Sequence, residues 1–196
     1  MPLVIRRLLT RSGLLRPQRW NAGGFTLLEA LVVVSLVGVL LAMAVPSLSD
    51  WRTRHQTQAQ AEGLLSSLVL ARTEALHRQQ RVSLCAQGGR DRCDSTGAWQ
   101  QGWLVFVDDN QNGLREAGET LIEAHAAAPA GVRLASNSTA RAYFSYNSEG
   151  RSMATNGAFM AATWRFCPLG GEVGWQVVSN ALGKARIERY TPQECP

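Results

Sequence analysis

Residues Asn21 to Leu48 read NAGGFTLLEALVVVSLVGVLLAMAVPSL, and this stretch decides how the rest of the chain is to be understood. From Phe25 to Val45 there are 21 residues in which Glu29 is the sole charge. At about 1.5 Å of rise per residue, a helix of that length spans about 30 Å, the thickness of a hydrocarbon core. A secretory signal has a shorter apolar core, followed by small residues at its cleavage site. Here the small residues Ala22-Gly23-Gly24 come first, which inverts that order. Pro46 ends or kinks the apolar run, because it lacks an N–H and crowds the preceding turn. Glu29 is the anomaly. A carboxylate inside a bilayer costs on the order of a few kcal/mol, so it needs a cationic partner or a route to water at the interface.

Charge supports a span. The 196 residues carry a net +5, and residues 1–24 account for all of it with Arg6, Arg7, Arg11, Arg16 and Arg19 and no acid. The remainder holds 15 basic and 15 acidic side chains. The basic segment therefore acts as a topology signal that stays cytoplasmic. An apolar fraction of 45% excludes general disorder. Cys85, Cys93, Cys167 and Cys195 all follow the span and so face the oxidising side, where disulfides persist. Four cysteines allow three pairings, and Cys85–Cys93 with Cys167–Cys195 is the simplest, stapling a short loop and the C-terminal tail.

Beyond Pro46 the pattern stays helical. Leu64, Leu68, Ala71 and Ala75 recur at helical spacing with Leu65, Val69 and Leu76 beside them, while Gln58, Glu62, Arg72 and Arg78 mark the polar face. One helix is expected over 26–79, apolar all round at first and amphipathic later, its second half lying on a folded domain. After Gln80 the period becomes two. Strands are expected at 81–86, 102–107, 120–125, 132–135, 141–146, 163–167, 174–178 and 184–190, separated by Gly, Asn, Asp and Pro. The fold class is α+β, a long N-terminal helix packed on an antiparallel sheet or sandwich. The organisation is a basic leader at 1–24, a transmembrane helix at 25–46, an amphipathic extension at 47–80 and a β-rich domain at 81–196.

GFTLLEALVVVSLVGVLLAMAVPS resembles the processing site and helix of type IV pilins and type II secretion pseudopilins. The stretches LLSSLVLARTEALHRQQRVSLC, GWLVFVDDNQNGLREAGE and VVSNALGKARIERY are similar to the GspH/FimT group of minor pilins. The resemblance implies cleavage by a prepilin peptidase between Gly24 and Phe25, N-methylation of Phe25, and assembly roles for Glu29 and the helix-kinking Pro46. It also implies a single-pass inner-membrane protein in contact with lipid, its domain periplasmic, which joins other pilins or pseudopilins in a filament. On this reading Glu29 pairs with the new Phe25 amine of a neighbouring subunit, which offsets the cost of its burial. Without the resemblance, a Glu reaching back to water serves equally well.

Two segments of the domain invite a binding role. Asp108, Asn110, Asn112, Gly113 and Glu119 fit the spacing of a calcium loop, with oxygens at alternate positions and a glycine at the turn. A strand rather than a helix precedes it and Arg115 sits inside it, so a long polar hairpin turn is the competing reading. Charge is polarised along the chain, with five acids against Arg115 over 108–123 and seven basic residues against four acids over 133–196. Gly183-Lys184-Ala185-Arg186 resembles the Gly-Arg-x-Arg tail by which FimT-like pilins capture DNA for natural transformation. Lys184, Arg186 and Arg189 are thus candidate contacts to double-stranded DNA, although Lys lacks the guanidinium fork. In a strand, Lys184, Arg186 and Glu188 share one face and Arg189 lies on the other. An ordinary solvated edge strand, in a priming pilin or a GspH-like pseudopilin, is the alternative. No G-x-S-x-G nucleophile motif and no H-E-x-x-H or C-x-x-C spacing is present, and His55, His77 and His125 are scattered, so no enzyme is expected and no cofactor beyond calcium at the loop above.

Overall fold

The computed structural model of the chain describes residues 24–89, 91–170 and 173–191, apart from the side chains of 43–47. The expected leader up to residue 23 and Cys195 lie outside the described residues, as does the side chain of Pro46. One helix, α1 (Leu27–Arg78), comes first and continues through position 46. Its N-terminus is capped by Thr26, whose Oγ1 accepts the Glu29 N–H at 3.2 Å. Thr26 and Glu29 therefore stand as N-cap and N3 of the helix, with the carboxylate in the first turn, where the helix dipole favours negative charge. At the other end, His77 and Arg78 occupy the last turn and Gln79 takes a left-handed φ of 55° that stops the helix.

The chain divides into compact units at residues 43 and 44. In the first unit, every large apolar side chain named from Phe25 to Leu41 is exposed, Leu27 at 86% and Leu28 at 74% among them. Among the described residues no helix is long and apolar enough to cross a membrane. The span expected at 25–46 runs into positions whose side chains fall outside that description.

In the second unit α1 becomes one-sided. Thr57, Ala61, Leu64, Leu68, Ala71 and Ala75 are buried, a 3–4 spacing that keeps one narrow face turned inward. Val69 and Leu76, expected beside this face, are instead 54% and 43% exposed, because they project past its edge. The helix approaches the sheet closely at Gly63, where a Cβ would stand 2.8 Å from the His125 ring.

Eight strands follow at or within about two residues of the expected bounds: β1 (Val82–Ala86), β2 (Trp103–Val107), β3 (Leu121–His125), β4 (Val132–Ser136), β5 (Tyr143–Tyr146), β6 (Ala162–Pro168), β7 (Gly174–Ser179) and β8 (Ala185–Tyr190). They form two antiparallel sheets, β3-β2-β1-β5 and β4-β6-β7-β8. The α+β class with a two-sheet domain is thus the observed one. The main core joins the inward face of α1 to the inner faces of both sheets. Trp99, Phe144 and Trp164 meet edge to face, with centroids 5.6 Å apart for Trp99–Trp164 and 5.3 Å for Phe144–Trp164. A polar bridge crosses the helix–sheet boundary: Trp103 Nε1 donates to Ser67 Oγ at 2.9 Å, and Ser67 Oγ donates to Glu123 at 3.0 Å.

Tyr146 on β5 lies in this core, and burial pushes its phenol up to about 12 against slight opposition from Ser179 and Arg72. Its contribution to stability is intact below pH 10, the unfolded value, and is lost as pH rises from 10 towards 12, because only the unfolded chain ionises easily there. Two units at about 1.4 kcal/mol each predict a loss of roughly 3 kcal/mol across that window. Urea unfolding of the purified chain at pH 9 and pH 11 is expected to show roughly half of this loss, about 1.4 kcal/mol, in the wild type and to show it reduced in Tyr146→Phe.

Candidate functional site

Three regions carry the expected functional residues, one in the first unit and two in the second. At the N-terminal end Gly24, Phe25 and Glu29 are all exposed, Phe25 at 78%. The Glu29 carboxylate therefore stands free beside the helix N-terminus, ready to meet a cation. The Thr26-x-x-Glu29 capping spacing is a signal that could have been read from the sequence and was missed there.

The second region covers the outer face of the first sheet. Cys85, Leu104 and Phe106 form a small buried cluster there, closed by Cys93, Leu121 and Tyr143. Cys85 and Cys93 are disulfide-bonded, and Gln87 forms an isolated antiparallel bridge with Cys93. Cys167 is buried and is not a free thiol, and its expected partner Cys195 is outside the described residues. The Arg115 N–H points to Cys93 Sγ at 3.0 Å and its guanidinium donates to the Asp91 carbonyl at 2.7 Å, so the acidic loop and the disulfide loop are locked together.

Within the acidic loop the oxygens spaced for calcium have other partners. Asp108 is buried and accepts from Ser83 Oγ at 2.6 Å, Asn112 N–H at 3.1 Å and Gly113 N–H at 3.0 Å. Asn110 Oδ1 accepts the Asn112 N–H at 3.1 Å, and Asn112 Oδ1 accepts the Leu114 N–H at 2.7 Å. Glu119 accepts the N–H groups of Asp109 at 3.1 Å and Glu116 at 2.9 Å. Each of the four proposed ligands thus satisfies backbone donors of the turn itself, and the Arg115 guanidinium donates to the Glu119 backbone carbonyl at 3.3 Å. No group of three or more His, Cys, Asp or Glu among the described residues is placed to hold a metal ion. Titration calorimetry with Ca²⁺ on the purified chain is expected to give no binding heat and no change in Tm; a saturable heat at micromolar metal would contradict this.

The third region is the β7–β8 hairpin. Asn180 organises its turn by accepting the Leu182 N–H at 3.1 Å and the Lys184 N–H at 3.0 Å. Gly183 has φ +77°, and a Cβ there would stand 2.3 Å from the Gly150 carbonyl oxygen, so no other residue fits. This places exposed Lys184 in the turn just before β8, an edge strand, and exposed Arg186 on that strand, facing away from the core. Arg186 pairs with Glu188 at 3.2 Å, and Glu188 also accepts from Gln176 at 2.7 Å. Arg189 lies on the opposite face, its guanidinium 5.0 Å from the Trp175 ring centroid, and does not join the other two. His125, one of the scattered histidines, stacks on Trp103 with centroids 3.8 Å apart, a packing role.

An amphipathic helix laid on two small antiparallel sheets, behind a run of exposed apolar residues with one carboxylate in its first turn, defines a pilin-like subunit. The chain belongs to the family described as type II transport protein GspH, whose profile matches residues 60–183, and the prokaryotic N-terminal methylation motif matches residues 21–45. It is similar to the pilin-like protein PilA1 of Thermus thermophilus, 36% identical over 102 residues that make up 52% of this chain and 58% of that one. It is also similar to a fimbrial protein of Pseudomonas aeruginosa, 32% identical over 50% of this chain and 67% of the relative. The chain thus spans little more than half the length of the Thermus protein. The crystal structure of the type IV minor pilin FimU of Pseudomonas aeruginosa shares the fold, with a TM-score of 0.53 at 19% identity over 73% of this chain and 97% of that one.

Proposed function

We propose that the chain is a minor subunit of a type IV pilus, held in the inner membrane by residues 25–46 until it enters the filament, and that it captures DNA there. The observation that carries the filament reading is the pairing of opposites within one chain. The domain buries its own apolar surface in a complete core, whereas the N-terminal run from Phe25 exposes nearly all of its own and needs lipid or neighbouring helices to cover it. Prepilin peptidase cleaves between Gly24 and Phe25, and the methylated Phe25 amine of one subunit meets Glu29 of the next. Pro46 adjusts the helix at the end of the packed segment.

DNA capture is supported by Lys184, exposed in a turn that only Gly183 can make, and by Arg186, exposed on the edge strand that follows it. The Arg186–Glu188 pair favours a second reading, a priming pilin or type II secretion pseudopilin without DNA binding, since it partly neutralises that patch. The two separate in a strain lacking the chain. Capture predicts normal pili with DNA uptake lost, and no rescue by a Lys184→Ala/Arg186→Ala copy. Loss of pili or of secretion with uptake otherwise unimpaired would leave the structural reading in its place.

A further inference from the structure

We infer that the polyanion contact is not confined to the β8 tail but runs as a diagonal stripe of cations, Arg133, Arg165, Arg186 and Lys184, across the whole outer face of the second sheet, where it follows the phosphate backbone of duplex DNA. The stripe rests on the DNA-capture reading above and extends it to two residues on strands remote in sequence from the tail.

Strand register places these side chains. On β4, Val132 and Leu134 are buried and Arg133 is exposed between them; on β6, Trp164 and Phe166 are buried and Arg165 is exposed between them. Arg133 pairs with Cys167, and two residues along, Ala135 pairs with Arg165. Arg165 continues across to Gln176 and then Glu188, while the next row runs from Thr163 through Val178 to Arg186. One row further the hairpin presents Lys184, whose carbonyl accepts from Asn180. Each cation therefore sits one row beyond the last, as the chain of positions moves from β4 to β6 to β8. With strands about 4.8 Å apart and same-face residues about 6.8 Å apart, the stripe extends about 25 Å from Arg133 to Lys184. One strand of a duplex presents a phosphate about every 3.4 Å of axis, so this length faces roughly seven of them.

The electrostatics suit a polyanion. Among the described residues, Arg133, Arg165 and Lys184 form no ion pair and Glu188 is the one carboxylate in the stripe's rows. Arg165 also lies over the Tyr190 ring, 5.9 Å from its centroid, which holds the guanidinium against the sheet and leaves its N–H groups outward. Four guanidinium or ammonium groups on one rigid sheet contact phosphates without sequence preference, and the binding is then steeply salt-dependent.

The test is fluorescence anisotropy of a labelled duplex with the full chain in detergent micelles, between 50 and 200 mM salt, with thermal midpoints measured to exclude unfolding. The stripe predicts that Arg133→Ala/Arg165→Ala weakens binding roughly tenfold at low salt and flattens the plot of log K against log salt by about 1.8, the slope of two phosphates. Lys184→Ala/Arg186→Ala is expected to do the same, and Glu188→Gln to tighten binding, a gain that misfolding cannot mimic. If the Arg133/Arg165 variant keeps the wild-type affinity and slope while the Lys184/Arg186 variant loses them, the stripe is wrong and the tail alone captures DNA. Failure of Glu188→Gln to tighten binding also counts against the stripe. If the wild-type chain does not bind at 50 mM salt, the stripe falls together with the reading beneath it.

Discussion

The second unit depends on one helix face. Ala61, Leu64, Leu68, Ala71 and Ala75 are fully buried against the inner surfaces of two sheets that would otherwise expose Trp99, Trp103, Trp164 and Phe144 to water. At roughly 25 cal/mol per Å² of apolar surface removed from water, aromatic side chains of this size dominate the driving force. The burial also fixes geometry. Alanines flank two leucines on the helix, so its backbone can come close, and Gly63 and the Trp103–Ser67–Glu123 bridge mark the places where it does. Neither four-stranded sheet could cover its own inner face, which is why the amphipathic half of α1 belongs to the domain as much as any strand.

That dependence explains the division of labour along α1. From residue 57 onwards the helix spends its apolar face inside its own subunit. Its leucines and valines from Leu27 to Leu41 are exposed. The same helix thus holds a fold together at one end and offers a surface for lipid or other subunits at the other. Glu29 stands at the start of the second kind of surface, in the turn where the helix dipole already favours a negative charge. Removal of a leader ahead of Phe25 would add a positive amine beside it, making each subunit carry both halves of a pair that complete each other only between neighbours.

Much of this was legible in the sequence because local chemistry decided it. The helix bounds follow from one apolar run and one amphipathic period, and the strands from alternation punctuated by Gly, Asn and Pro. The nearness of Cys85 and Cys93 in sequence made their bond the simplest pairing. What escaped the sequence was set by long-range pairing. β5 joins β1 in the first sheet, although β4 and β6 on either side of it build the second. Without that exchange, Arg133 and Arg165 are two isolated arginines; with it, they fall in line with Arg186. Spacing likewise showed the oxygens of Asp108, Asn110, Asn112 and Glu119 but not the backbone donors that engage them, nor the grip of Arg115 on the disulfide loop. The outward placement of Val69 and Leu76 was missed because a helical period gives the centre of a buried face more reliably than its edges.

The central claim is that the N-terminal helix serves assembly rather than the fold, with Glu29 as its pairing charge. Quantifying Glu29→Gln subunits in sheared filaments and in inner membranes, against wild type in the same strain, tests this most directly. The account predicts a subunit that is made, folded and retained in the membrane at wild-type levels but strongly depleted from filaments. Incorporation of Glu29→Gln into filaments at the wild-type level would contradict it.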